Sequence, residues 1–425
     1  MTQEKKDGNL IAIITMCFMF AMISFVTNMA APFGNIWGNT YSWAGMMGNM
    51  MNFAAYLFMG IPAGKMIVKY GYKTTALVAL AIGAIGLFIQ YLSSIFGADA
   101  AAFNYGGQVV AWNLIIYLLG AFVCGFCVCM LNTVVNPMLN LLGGGGNKGN
   151  QLIQTGGALN SLSGTLTPLF AGVLIGQVTP ETSMSDVSPL LFIGIAVFVL
   201  SFFIIKMVDI PEPQLGNKEV KYERSPLAFR HTLLGVIGIF FYVGIEVGIP
   251  AQLMFFITDL GFEGSAAVGG ALAASYWFMM LIGRSLSSVI SGKVSSAMQL
   301  KIASALAIIF ILIAIFMPDT AQVAFRGNDI PVKCFFLAAC GLCTSVMWGG
   351  IFNLAVEGLG KYTALASGIF MTMVVGGGVM PLIQDFVAKA TDPITSYWVV
   401  VAMLAYLLYY ALIGCKNVNK DIKVD

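Results

Sequence analysis

The sequence predicts an all-α membrane protein, with twelve transmembrane helices in two pseudo-symmetric six-helix bundles, and three observations carry that prediction. Of the 425 residues, 59% are hydrophobic and 9% charged, where a soluble domain carries about 25% charged residues. The mean hydropathy is +0.87. Apolar runs long enough to cross a bilayer recur at 9–37, 41–64, 74–95, 110–142, 151–177, 188–207, 231–258, 266–290, 299–317, 332–357, 364–390 and 395–414. Of the 21 Lys and Arg, only Arg326, Lys333 and Lys389 fall on the side opposite the N-terminus, leaving eighteen on the N-terminal side. Basic residues collect on the cytoplasmic side, so both termini are expected there, with the chain multi-pass in the inner or plasma membrane. The apolar stretch after Lys5 and Lys6 runs too far for a cleavable signal peptide, and the first span is expected to serve as its own signal. A net charge of +2 gives no ground for a nucleic-acid partner.

The longest polar connection, at 208–230, is rich in charge and proline and has no apolar period. It reads as a cytoplasmic linker between an N-terminal bundle (1–207) and a C-terminal bundle with a short tail (231–425). The connections near 96–109 and 318–331 are short and polar, too small for an extracellular domain. The two halves look related. GFCVCMLNTVVNPMLNLLGG (125–144) lies without gaps on GLCTSVMWGGIFNLAVEGLG (341–360), Gly164-x-x-x-Pro168 recurs as Gly377-x-x-x-Pro381, and Pro32 matches Pro250, which sets Asn28 opposite Glu246. Paired six-helix repeats are how many secondary transporters build a midplane site.

In chain order, the first span carries Asn28 four residues before Pro32. GIPAGKMIVKYGYKTT (60–75) joins the second and third spans; its glycines permit tight helix approach, and its basic residues suit an inner loop. The fourth span carries Asn132, Asn136 and Asn140 on one helical face beside Pro137. Amides in hydrocarbon are costly unless they meet a partner or line an aqueous cavity. GGGGNKGN (143–150) resembles a phosphate loop only superficially, since it lacks the G-x-x-x-x-G-K-[ST] spacing and no strand precedes it. With no nucleotide-binding domain, ATP is not an expected partner.

Glu246 lies well inside the seventh span, and an intramembrane carboxylate marks a functional site by default; the bland alternative is a hydrogen bond to a neighbouring helix. Glu357, near the cytoplasmic end of the tenth span, reads as a cap or a partner of Lys361, and Asp385 as reaching water near the outer end of the eleventh. Cys124 and Cys127 form a CxxC on the fourth span, but without a second pair or a histidine beside them they read as packing residues. The single histidine, His231, sits at a helix start. Neither a metal nor an organic cofactor is expected, and without a nucleophile–base cluster the chain is not expected to be an enzyme.

Several stretches together, in order along nearly the whole chain, resemble the fucose–galactose–glucose:proton symporter family of the major facilitator superfamily: PAGKMIVKYGYK, LNTVVNPMLNLLG, GIFFYVGIEVGIPAQL and the run from Gly341 to Asp385. The 60–75 loop is similar to that superfamily's loop signature at Gly64, Lys69, Gly71 and Lys73, although Val68 stands where an Asp is usual, and the second-half counterpart falls at GRSLSSVISGK (283–293). The resemblance implies a sugar permease working by alternating access, with those four residues and Arg284 in gating loops; a monomer is expected. Two departures stand out. Asn132 replaces the carboxylate of the family's L-E-T-A-A-N-P pattern, and Asn28 stands where the fucose permease has an acid. An amide keeps donors and an acceptor for hydroxyls but carries no titrating proton.

Candidate sugar contacts are Asn28, Asn132, Asn136, Asn160, Glu246, Gln252 and Asn353, with Tyr276, Trp277 and Trp348 as ring platforms. Each amide has helix–helix hydrogen bonding as its alternative, and each ring has packing or interface anchoring. Gly157 stands where family members often carry Gln. Glu246, the deepest remaining acid, is the expected proton-coupling group. Uncoupled or sodium-coupled transport, another small polar solute (an amino sugar, anhydrosugar, nucleoside or drug) and a non-transporting sugar sensor remain alternatives.

Overall fold

The computed structural model describes residues 3–41, 43–175, 181–212, 222–419 and 422. Its helices are α1 (Gln3–Thr40), α2 (Met47–Leu92), α3 (Trp112–Leu142), α4 (Gly146–Ile175), α5 (Ser188–Met207), α6 (Arg230–Asp259), α7 (Ser265–Ile290), α8 (Ser296–Phe316), α9 (Lys333–Thr344), α10 (Met347–Ala355), α11 (Thr363–Thr372), α12 (Gly376–Ala390) and α13 (Tyr397–Tyr409). Among the described residues, nine helices are long and apolar enough to cross a membrane.

The 46 residues of α2 rise about 69 Å, twice the roughly 30 Å of a bilayer's hydrocarbon. Gly71 divides it with φ 84° and ψ 172°, a conformation that glycine reaches without a Cβ clash. With α2 divided there, each predicted span coincides with a helix, α9–α10 and α11–α12 forming one span each. The breaks in these last two pairs, at Ser345–Val346 and Met373–Val375, fall inside the apolar runs. Ser345 and Val346 keep right-handed helical dihedrals and Met373–Val375 form one 3-10 turn, so neither span leaves helical geometry at its break.

Two small hairpins add to the predicted all-α frame. β1 (Ala101–Tyr105) pairs antiparallel with β2 (Gln108–Ala111), and β3 (Gln322–Phe325) with β4 (Asn328–Pro331). They occupy corresponding places, just before α3 and just before α9. Both turn on two residues of positive φ, Gly106 and Gly107 (59° and 79°) in one and Arg326 and Gly327 (51° and 81°) in the other. Two-residue turns with both central φ values positive match the twist of the flanking strands.

By packing, the chain forms two compact units. The first comprises residues 1–138, 162–221 and 367–372, and the second 139–161, 222–366 and 373–425. The start of α4 therefore packs with the later helices and the end of α11 with the earlier ones. In the first unit α3 packs closely on α2. Cys124 accepts a 3.4 Å hydrogen bond from Gln90 Nε2, and Cys124, Cys127 and Cys129 are all buried and unbridged. Their CxxC spacing places them in a helix interface.

Candidate functional site

The second unit buries an ion pair. Glu246 sits near the middle of α6, and its Oε1 accepts a 3.0 Å hydrogen bond from Nη2 of Arg284 on α7. The two side chains are only 14% and 11% exposed. Nη1 of the same guanidinium donates to Ser161 Oγ of α4 at 2.7 Å. Charges taken out of water are expensive unless each meets a partner and the remaining donors are used. Arg284 meets that condition through its planar fork, which spans two helices at once. Gly157, one turn before Ser161, lies against the guanidinium stem, where a Cβ would make ordinary contact 3.6 Å from Arg284 Cδ. Arg284 is thus inside α7 as the counter-ion of Glu246, rather than in the gating loop where the sequence placed it.

Aromatic residues close around the pair. Tyr242, one turn before Glu246 on α6, is fully buried beside both charges. Trp348 of α10 meets the Tyr242 ring edge-on at 6.3 Å. Tyr276 is fully buried, its hydroxyl 2.8 Å from Thr344 Oγ1 at the α9–α10 break. A ring with no exposed face is no sugar platform, so among the three aromatic candidates Trp348, partly exposed, and Trp277, 43% exposed, keep accessible surface. Asn160 precedes Ser161 on α4 and is partly exposed, and Gln252 is buried on α6.

In the first unit the amides form a ladder along helix backbones. Asn28 Nδ2 donates to Ser24 O at 2.8 Å and to Ser24 Oγ at 3.1 Å. Asn132 Nδ2 donates to Tyr56 Oη at 2.9 Å, and Asn136 Nδ2 donates to Asn132 O at 2.8 Å. Asn132 and Asn136 are 5% and 0% exposed. Their amide donors are thus directed at neighbouring groups of the same unit.

One candidate lies elsewhere. Asn353, at the end of α10, accepts from Asn140 Nδ2 and donates to Ser296 Oγ at 2.9 Å. That chain of side chains ties α3, α10 and α8 together within the second unit, so Asn353 acts there as a tether. Gln154 Nε2 adds a 3.0 Å bond to Val346 O. Asp385 pairs with Lys389 one turn on, at 2.6 Å. His231 is buried with Nε2 3.0 Å from Glu357 O, a structural position.

The basic loop is capped by an acid from further along the chain. Glu212, just after α5, accepts hydrogen bonds from Tyr72 N and Lys73 N at 2.7 Å each, at the helix start that Gly71 creates. A carboxylate at a helix N-terminus answers both the unpaired N–H groups and the dipole. Burial pushes the Glu212 carboxyl above its usual value, against the opposing pull of the two amides and Lys73. In the same unit Gly368 of α11 packs on α2, where a Cβ would meet Gly60 O at 2.6 Å and Gly64 Cα at 2.9 Å. Gly64 is therefore a point of backbone contact.

Reading residues singly missed Tyr242, Ser161, Tyr56 and Glu212. Tyr242 was within reach, since it stands four residues before Glu246 and shares its helical face. The others are joined to their partners only through tertiary packing.

Comparison with known proteins agrees with this frame. The Major Facilitator Superfamily matches residues 11–382. A glucose/galactose transporter of Brucella abortus is 30% identical over 431 residues, spanning 98% of this chain and 96% of its own. The L-fucose-proton symporter of Escherichia coli is 22% identical, over 92% of this chain and 89% of its own. A crystal structure of the E. coli fucose:proton symporter, in a single-residue variant, superposes with a TM-score of 0.78 at 18% identity, over 95% of this chain and 98% of that one. The chain belongs to the Major Facilitator Superfamily.

Proposed function

We propose that this protein is a secondary transporter that imports a hexose or related monosaccharide by alternating access. The single observation that carries this reading is the glucose/galactose transporter of B. abortus, similar to this chain from end to end. The site chemistry is compatible with it. Oriented amides in the first unit and the Glu246–Arg284–Ser161 group in the second offer the donors and acceptors that hydroxyls require. The six-plus-six division rests on the polar 208–230 connection and the paired motifs of the two halves, and the cytoplasmic termini of an inner-membrane protein on the eighteen-to-three split among 21 basic residues. The working unit is a monomer driven by an ion gradient.

Coupling runs through Glu246. A proton taken up there would remove its charge and release Arg284 to the sugar's oxygens; its loss would restore the pair. The acids of the family pattern are absent at Asn28 and Asn132, which leaves Glu246 as the intramembrane carboxylate able to serve. Uptake of labelled D-glucose, D-galactose and L-fucose into proteoliposomes, with and without a proton gradient, tests the reading. Absence of uptake for all three sugars overturns it, while uptake that ignores the gradient leaves a facilitator and removes the coupling role.

A further inference from the structure

The second unit contains a cavity of about 490 Å³ whose lining includes neither member of the ion pair. It lies near the start of α6, bordered by Asn147 of α4, Ser295 capping α8, Asn353 of α10, Glu357 beyond it, and Lys416 and Asn417 after the last helix. Its volume is in the range of small-molecule sites, roughly 300–1,000 Å³. The lining sets amides and hydroxyls, which donate and accept, and one carboxylate and one ammonium of cancelling charge beside apolar Ala297, Leu354 and Cys415. That set suits a neutral solute rich in hydroxyls better than an ion. Part of it is prearranged, because Asn353 is 4% exposed and fixed between Asn140 and Ser296. Asn150, three residues beyond Asn147 and on the same helical face, is fully buried with neither amide atom hydrogen-bonded among the described residues.

We infer that this cavity is a second monosaccharide site, separate from the transport site, through which sugar already in the cytoplasm slows further import. The inference rests on the reading above for its ligand and for the side of the membrane. The cavity exists only while the 139–161 segment packs on the later helices, since Gly146 and Asn147 supply one of its walls. A solute bound there stabilises that packing by mass action. Residues 139–161 are continuous in the chain with α3, so holding them resists any rearrangement that separates them from α8 and α10.

The test measures equilibrium binding of labelled D-glucose, D-galactose and L-fucose to the full-length protein in nanodiscs, beside initial uptake into vesicles that are empty or preloaded with the same sugar. The variants are Ala297→Trp, which fills the cavity from the first turn of α8, and Asn147→Leu, which removes a polar wall; either suffices if the other fails to fold. The expected result is a second equivalent bound by the native protein and lost in the variants. Uptake into empty vesicles should stay within twofold of native, and slowing by internal sugar should disappear. Uptake with one equivalent bound, or folded variants that keep both, overturns the second site alone. A sugar neither bound nor carried overturns the transport reading as well.

Discussion

At the scale of single residues, the Glu246–Arg284 pair is the most consequential feature, and its energetics predict an asymmetry. Removing one member of a buried pair strands the other charge and costs about 3–5 kcal/mol, while replacing both with apolar groups is often neutral. Arg284→Met should therefore lower the unfolding midpoint in detergent much more than the double variant Glu246→Leu/Arg284→Met. A double variant as unstable as the single one would show that the two charges do not pair. Glu246→Gln isolates coupling: it should still equilibrate sugar across the membrane but fail to concentrate it, and a variant that still concentrates sugar sinks the assignment. Asn353→Ala should behave differently. Leaving Asn140 and Ser296 without their partner costs about 1–3 kcal/mol, with the KM for sugar unmoved if Asn353 is the tether described here. The sequence made Glu246 legible because a carboxylate in an apolar run is conspicuous without any partner. Arg284 was misread because its distance from the helix end looked like a loop boundary, and only the packing of α6 on α7 shows the charge facing inward.

Individual elements are governed by how their ends and crossings are satisfied. The Glu212 cap on the helix that starts after Gly71 has a pH dependence whose sign follows from its raised pKa. A carboxyl that holds its proton more tightly folded than unfolded lends its full stability below the ordinary carboxylate value of 4.5 and loses it as pH rises through the folded value. Native protein should thus lose stability relative to Glu212→Gln over that rise, read as thermal midpoints across a pH series. A difference that shrinks over the same range would mean that the hydrogen bonds outweigh burial. Gly368→Ala tests the crossing of α11 on α2. Its Cβ would meet backbone atoms of Gly60 and Gly64, which cannot rotate away, so the helices must part and uptake should fall at least tenfold (about 1.4 kcal/mol in the barrier). The helices themselves were legible from hydropathy alone, because bilayer thickness fixes their length. The hairpins were not, since the polar look of 96–109 and 318–331 hid the Gly106-Gly107 and Arg326-Gly327 turn signals. The Gly71 kink is visible in sequence only as a glycine among basic residues, and the acid that caps it arrives from 140 positions away.

For the whole molecule, composition and charge asymmetry settled the class, and matches along nearly the full length settled the superfamily. The regrouping of 139–161 and 367–372 by packing was beyond reach, because it depends on which helix ends meet rather than on any local pattern. The molecule-level prediction concerns the driving ion. Replacing sodium with choline should leave uptake unchanged, while collapsing the proton gradient should abolish accumulation; the opposite pattern moves coupling away from Glu246. The two hairpins also give the experimenter a matched pair of handles. Each is closed by a tight turn, so a probe at Gln108 and another at Asn328 would ride on short, stiff arms. One arm belongs to the first unit and the other to the second. The distance between such probes, followed by electron spin resonance as sugar is added, would act as a ruler laid across the transport cycle, with little slack from the labels themselves.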